Sequence, residues 1–590
     1  MTRVMIQNRT PKGAALNALI ALVLTSMFFV GVHLFYSFTY GVVDDPFIAT
    51  VLNGAYTGTP DAHVVYIKYP LAWILTLLFT WIPQVNWHFL LLVSCFQICC
   101  FVVCFRICSN VNKIRNKLFL SIIFLLLFWL TMGEMILTVH YSMCAAVLSA
   151  TGIFYFGTIP RGASKKNLAL NFLAVLLMLW TAYAIRARTL FMLLPLAGAV
   201  FIYVLFREKT VFQKKNLIRC LICPVILFVG LGGLELMHNA NYKSEVWKEY
   251  LTFNDARTTL YDFYGLPDYE KNKEFFEDLN ISETRDYVTL EKYYLELRDG
   301  MDPDALPKIA DYRVKESKEA LPTGKRIIES IKALPLNLVK KTYAPVNWIV
   351  AACFLILLLA SILLKKWRAL AALILCFVTS LIPWLWMIYV GKPTPRVTMG
   401  IWAADLLFFA ALLIDHAEEI RSLLANQKKK WVGILLFAVL AVALTAGIAS
   451  SYGKLTKKMD KYIASGRVRA ELESWCEERP ENLYLYESEI VNGLGFDRKA
   501  IDNSLMNLMW PGGWTAKMEA NLKIYERFGV SDIEKAIVKY DKIFIVAFSE
   551  TDMAYWIRFY RENYPDAVLK EVEDLKFGDR QFTVYSIQEQ

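Results

Sequence analysis

Apolar runs of about 17–25 residues recur along this chain, the length at which an α-helix crosses the hydrocarbon core of a bilayer. Nothing constrains the fold more. In lipid the backbone has no water to bond, so each run must satisfy its own N–H and C=O groups as a helix. Across 590 residues the hydrophobic share is 56% and the mean hydropathy +0.38, too apolar for an ordinary soluble protein. The first run, Ala14–Phe38, exceeds a signal-peptide core and lacks a small-x-small cleavage site, so it reads as a retained signal-anchor helix.

Charge orders the runs. The net charge is +10, yet the two long polar regions are acidic on balance: 237–345 holds 17 Lys and Arg against 20 Asp and Glu, and 451–590 holds 20 against 24. The positive excess therefore sits in short loops between apolar runs, as orientation signals do, and makes no nucleic-acid face. Arg3, Arg9 and Lys12 place the N-terminus in the cytoplasm. Leu71–Ile82 is too short to span and is placed flat at the outer surface, with Trp87–Phe105 crossing after it. The further spans are Leu118–Met132, Leu137–Thr158, Leu168–Tyr183, Leu190–Phe206, Leu217–Leu236, Trp348–Leu364, Ala369–Val390, Val397–Ile414 and Trp431–Ala449. Under this one assignment every strong Lys/Arg cluster falls inside and the C-terminus outside, with about eleven crossings. The expected fold is mainly α, a polytopic transmembrane helical bundle with an outer helical insertion and a small C-terminal α/β domain. Its parts are an N-terminal membrane module 1–236, an outer insertion 237–345, further membrane helices 346–450 and an extracytoplasmic domain 451–590.

The most informative loop is Tyr40–Pro83. Asp44 and Asp45 stand together just after the first span. Asp45-Pro46 reads as a helix start, with Asp45 as N-cap. Phe47, Ile48, Val51 and Leu52 share one face, and Gly54 can close the helix. A second short helix begins at Pro70, behind Lys68. An acid pair after the first membrane helix, followed by Lys68-Tyr69-Pro70-Leu71, resembles the first outer loop of the GT-C superfamily of membrane glycosyltransferases. The resemblance covers the membrane part of the chain. It implies a donor sugar carried on a polyprenyl phosphate, an envelope glycan, lipid or protein as acceptor, and inversion at the anomeric carbon. It also implies a possible divalent cation, Mg or Mn, because some members are metal dependent.

Transfer of a sugar needs a base beside the acceptor and cations for the departing phosphate. Asp44 is the expected base, with Asp45 as helix cap or as its partner in holding a metal, and Glu134 in another outer turn as a second acid. Outer cations are conspicuous against the positive-inside bias: Lys68, Arg186 and Arg188 between two spans, and Lys392 and Arg396 in GKPTPR. Arg grips phosphate with two N–H groups and Lys as a point charge. His63, ahead of Lys68, is a further candidate, whereas His140 reads as a hydrogen-bonded interface residue. Asp255 and Arg257 read as an ion pair of the insertion. FNDARTTLYDFYGLPDY reads as an ordered loop there, between helical patterns such as Thr289–Arg298 and Lys325–Lys332. The Trp510–Trp514 turn reads as core, with stacking of Trp510 and Trp514 on a sugar face as the alternative.

Of 11 cysteines only Cys476 lies in the polar C-terminal region, and no disulfide framework or Cys/His metal spacing is visible. Strands are expected at Asn482–Tyr486, Lys542–Phe548 and Gln581–Ile587, with an amphipathic helix at Met553–Asn563. Three other function classes share parts of this pattern. A lipid-linked-glycan polymerase or ligase would use the outer arginines without the acid pair. A transporter or flippase would show more intramembrane charge and repeat symmetry. A non-catalytic envelope-assembly protein would transfer no sugar.

Overall fold

The computed structural model describes residues 11–160, 164–207, 214–296, 304–363, 365–416, 430–496 and 505–589. The membrane part starts with α1 (Pro11–Phe35), the short α2 (Asp44–Asn53) and α3 (Tyr69–Trp81), then α4 (Trp87–Asn110) and α5 (Ile114–Leu137). It continues with α6 (Tyr141–Gly157), α7 (Lys165–Arg207) and α8 (Lys214–Asn241). Among the described residues eight helices are long and apolar enough to cross a membrane, so the chain is a multi-pass membrane protein. The 13-residue α3 is not among them.

α7 is two helices joined at Arg186, whose backbone is extended (φ −158°, ψ 98°). The ring of Phe156 on α6 lies 6.3 Å from Phe172 and 6.4 Å from Phe201. In one straight helix those partners would stand about 44 Å apart. The chain therefore folds back at Arg186, and the two arms run side by side along α6. Arg186 is thus the apex of a membrane hairpin. Adding the 17-residue α6 and the apolar start of the long helix that begins at Lys430 would bring the passes to the expected eleven.

A two-residue parallel ladder fixes the loop after α1. Thr39–Tyr40 (β1) pairs with Thr138–Val139 (β2), and the Gly41 N–H donates to the Val139 carbonyl at 2.8 Å. A Cβ at position 41 would stand 2.7 Å from the Thr138 carbonyl oxygen, so only glycine lets the strands close. α2 starts at Asp44, one residue before the expected cap. Val43 flanks it and no side chain caps it, because the Asp45 carboxylate is committed elsewhere. Its far end closes on Gly54 at φ 90°, as expected.

The insertion opens with α9 (Glu245–Arg257) and passes directly into a π-helical turn, Thr258–Tyr264, where the sequence had suggested a loop. Of the pattern read at Thr289–Arg298, whose last two residues lie outside the described ones, the described part forms one helical turn, Val288–Glu291, before Tyr293 takes a positive φ of 67°. After it come α10 (Ala305–Ala320) and α11 (Thr323–Leu338), then the membrane helices α12 (Val346–Leu363), α13 (Trp367–Tyr389) and α14 (Pro395–Asp415). α15 (Lys430–Glu477) leads into the C-terminal domain. That domain is a five-stranded mixed sheet in the order β4-β3-β5-β7-β6. Its strands are β3 (Leu483–Tyr486), β4 (Leu508–Met509), β5 (Ile543–Phe548), β6 (Ala567–Phe577) and β7 (Arg580–Glu589). β3, β5 and the helix Ala554–Arg561 fall within the segments expected for them, and β7 spans the whole of its own. β4 and β6 were not foreseen: one is two residues long, and the other is charged along most of its exposed face.

The three parts interlock. The Met506 N–H donates to the Ala55 carbonyl in the first loop (3.0 Å), and Tyr250 on α9 donates to the Trp514 carbonyl. Glu296 of the insertion accepts from the Lys517 N–H and Asn521 Nδ2, both at 2.9 Å, and from the Tyr525 hydroxyl. Burial pushes its carboxyl up to about 7.

Candidate functional site

The β1–β2 ladder sets the start of α2 against the start of α6, and the two acids there have different surroundings. Asp45 has no exposed surface. It accepts from the Tyr141 N–H at 3.2 Å and lies 3.0 Å from His88 Nε2, itself fully buried on α4. Burial raises its carboxyl, and the His88 and Tyr141 contacts pull it back. Asp45 thus fastens α2 to α4 and α6. The Asp44 carboxylate has no hydrogen bond or ion pair with any described residue. Burial and the neighbouring Asp45 charge push its carboxyl up to about 6, against the opposing pull of Arg396 and Arg186.

Those two guanidiniums face Asp44 from the hairpin apex and from the first turn of α14. Arg186 lies over two aromatic faces, 4.9 Å from the Tyr66 ring centre and 5.2 Å from that of Tyr141, and these rings stack 5.5 Å apart. A cation held by π faces keeps its N–H groups in hand. Neither the Arg186 nor the Arg396 guanidinium forms a hydrogen bond or ion pair with the described residues. A carboxylate that accepts nothing and two guanidiniums that donate nothing thus surround one space.

A second layer positions this one. Arg257, 3% exposed, reaches from α9 to the Tyr66 hydroxyl (3.3 Å), the Tyr293 hydroxyl (2.5 Å), Asn254 (2.8 Å) and Thr258 (2.7 Å). Its ion-pair partner is Asp262 at 3.7 Å and not the exposed Asp255. Burial, then the Asp44 charge, raises the Tyr66 phenol, which stays protonated. Trp514 meets Tyr66 edge-on at 5.2 Å. His140 accepts the Ser142 N–H on Nδ1 at 3.0 Å, and burial with the two arginines holds it well below its ordinary value, so it is neutral.

The other sequence candidates are tied up elsewhere. Lys68 pairs with Glu235 of α8 at 2.7 Å. Lys392 pairs with Asp262 at 3.2 Å, on the rim of the site. Glu134 pairs with Lys458 of α15. His63 lies 2.7 Å from Asp61 and stacks on Trp247 at 5.0 Å, joining the first loop to the insertion. Arg188 is exposed beyond the apex. Asp44, Arg186 and Arg396 come together; Asp45 lies beneath them. Among the described residues no three His, Cys, Asp or Glu side chains group as metal ligands, and Asp45 is already occupied by His88 and Tyr141. The donor set does not fit a resident cation.

No protein-family model matches the chain, and no curated protein matches its sequence. Among solved structures it is similar to the crystal structure of ArnT from Cupriavidus metallidurans in the apo state, at 12% identity over 97% of this chain and 98% of that one, with a TM-score of 0.36.

The sequence alone assigns no role to Tyr66, Tyr141, His88, Asp262 or Tyr293. His88 carried a signal, a lone imidazole in an apolar span, where an ionisable group is expensive without a partner. The tyrosines carried none, in a chain with 30 of them.

Proposed function

We propose that this protein is a membrane glycosyltransferase of the GT-C type that moves a sugar from a polyprenyl-phosphate donor to a glycan, lipid or protein acceptor of the cell envelope. The observation that supports it is the pairing of an uncommitted, raised carboxylate with two uncommitted guanidiniums. In this reading Asp44 takes the proton of an acceptor hydroxyl or amine as that atom bonds to the anomeric carbon. The bond from that carbon to the phosphate oxygen breaks, and its electron pair leaves with the lipid phosphate between Arg186 and Arg396. The phosphate gains charge as it departs, so these two cations act most strongly in the transition state. A carboxyl near 6 is ionised at neutral pH yet more basic than an ordinary aspartate, which suits a general base.

Lys68 and Lys392 serve in this reading as rim charges for the approaching headgroup, exchanging Glu235 and Asp262 for phosphate. The site opens on the extracytoplasmic side, with the N-terminus in the cytoplasm, because the positive-inside rule then accounts for the loop charges. The test is transfer by the purified full chain in nanodiscs with a panel of polyprenyl-phosphate sugars, read as release of the free lipid phosphate. Release that Asp44→Asn abolishes supports the reading. Release indifferent to that change, or absent with every donor while no donor binds, overturns it.

A further inference from the structure

Helix α11 turns the wrong face to the protein for a soluble segment. Ser330 and Asn337 are its buried positions, while Ile327, Ile328 and Ile331 are 47%, 53% and 54% exposed. At about 100° per residue, Ile327, Ile328, Ile331, Pro335 and the half-buried Leu338 form one apolar stripe, edged by Leu334. Lys325, Glu329 and Lys332 lie on another face; Leu336 is exposed off the stripe.

Both ends of α11 are fixed at one membrane level. Near its start, Arg326 lies 5.1 Å from the ring of Tyr389, the last residue of the span α13. Past its end, Asn347 Nδ2 at the start of the span α12 donates to the Leu338 carbonyl at 3.1 Å and the Lys340 carbonyl at 3.3 Å. A helix tied to the same-side ends of two spans runs along the membrane plane. Trp348 and Trp386, 60% and 59% exposed on those spans, mark the level at which indoles sit in a bilayer interface. The stripe is thus continuous with the lipid-facing surface of the bundle, and the exposed Lys325, Lys340 and Lys341 flank it.

We propose that α11 is an interfacial helix: its isoleucine stripe is seated in the acyl region of the leaflet on the domain side, with its lysines at anionic headgroups. Area and charge are the two contributions that hold such helices. The same Arg326 also lies 5.8 Å from the Tyr264 ring, at the end of the π-helical turn that carries Asp262. The leaflet thereby sets the height of the site's rim above the membrane, whatever the reaction there.

The test is depth measurement on the full chain in nanodiscs of phosphatidylcholine with phosphatidylglycerol. Single cysteines at 325, 327, 328, 329 and 331 receive a spin label, and collisions with oxygen, which concentrates in lipid, are compared with those of a water-soluble nickel chelate. Label on the unsubstituted chain gives the background. The oxygen-to-nickel ratio is expected to be about tenfold higher at 327, 328 and 331 than at 325 and 329, the sign of a helix half in lipid. Nickel access at all five positions would overturn the proposal in favour of a water-facing stripe. Access of neither reagent at 327, 328 and 331 would overturn it in favour of a protein partner. A companion Ile328→Asp, labelled at 331, should lower the ratio there; an unchanged ratio would also count against it.

Discussion

Replacing Asp44 with Asn should make this protein both more stable and inactive. Asparagine imitates the protonated carboxyl without its charge. In the folded chain burial and Asp45 hold the Asp44 carboxyl at about 6 against an unperturbed 3.8. A folded value above the unfolded one means that the group's stabilising share is complete below the unfolded value and is lost as pH rises through the folded one. Wild type should therefore lose stability between about pH 4 and pH 6, and the mutant should not. The difference of roughly two units corresponds to at most about 3 kcal/mol, less what solvent in the cleft screens. The assay is the melting temperature in nanodiscs from pH 4.5 to 8, beside the turnover rate. The mutant's advantage should be about a third of its final size at pH 4.5 and level off above pH 6, while its turnover falls about 10²–10⁴-fold, the usual weight of a general base. Wild-type turnover should rise with pH through about 6. A mutant that is less stable than wild type at pH 8 would refute the reasoning, because Asp44 would then be a structural acid.

Asp45 and His88 should behave in the opposite way. His88→Ala leaves a buried carboxylate without its partner and should cost about 3–5 kcal/mol, read as a lower melting temperature at neutral pH. Arg257→Met and Tyr66→Phe should each weaken binding of a polyprenyl phosphate, and the double mutant should lose little more than either alone, because both break one link to Arg186; full additivity would separate them. Glu296, raised to about 7 by burial, should make the joint between insertion and C-terminal domain weaken as pH rises from 5 to 8, seen as a fall in hydrogen-exchange protection at residues 517–525 relative to the intrinsic rate at each pH. Glu296→Gln should flatten that dependence. Transfer should persist in EDTA within about twofold, since the site residues do not form a cation's donor set; activity lost to EDTA and restored by Mg or Mn would show otherwise.

The membrane helices were legible because length and apolarity are local properties, and a short run such as Leu71–Ile82 betrays itself by what it lacks. The acid pair was legible as a motif, but the division of labour inside it was not: the contacts of Asp45 come from His88 and Tyr141, 43 and 96 residues away. The outer cations looked equivalent in sequence. Lys68 differs from Arg186 only because Glu235 on a distant span reaches the first and aromatic faces hold the second. The insertion was least legible, since its π-helical turn has no sequence period of its own.

The most direct measurement is where a lipid phosphate binds. A structure of the full chain in nanodiscs with a polyprenyl phosphate should place the phosphorus between the Arg186 and Arg396 guanidiniums, within one sugar's breadth of Asp44. A headgroup bound at another part of the membrane face, with those two arginines still empty-handed, would contradict it.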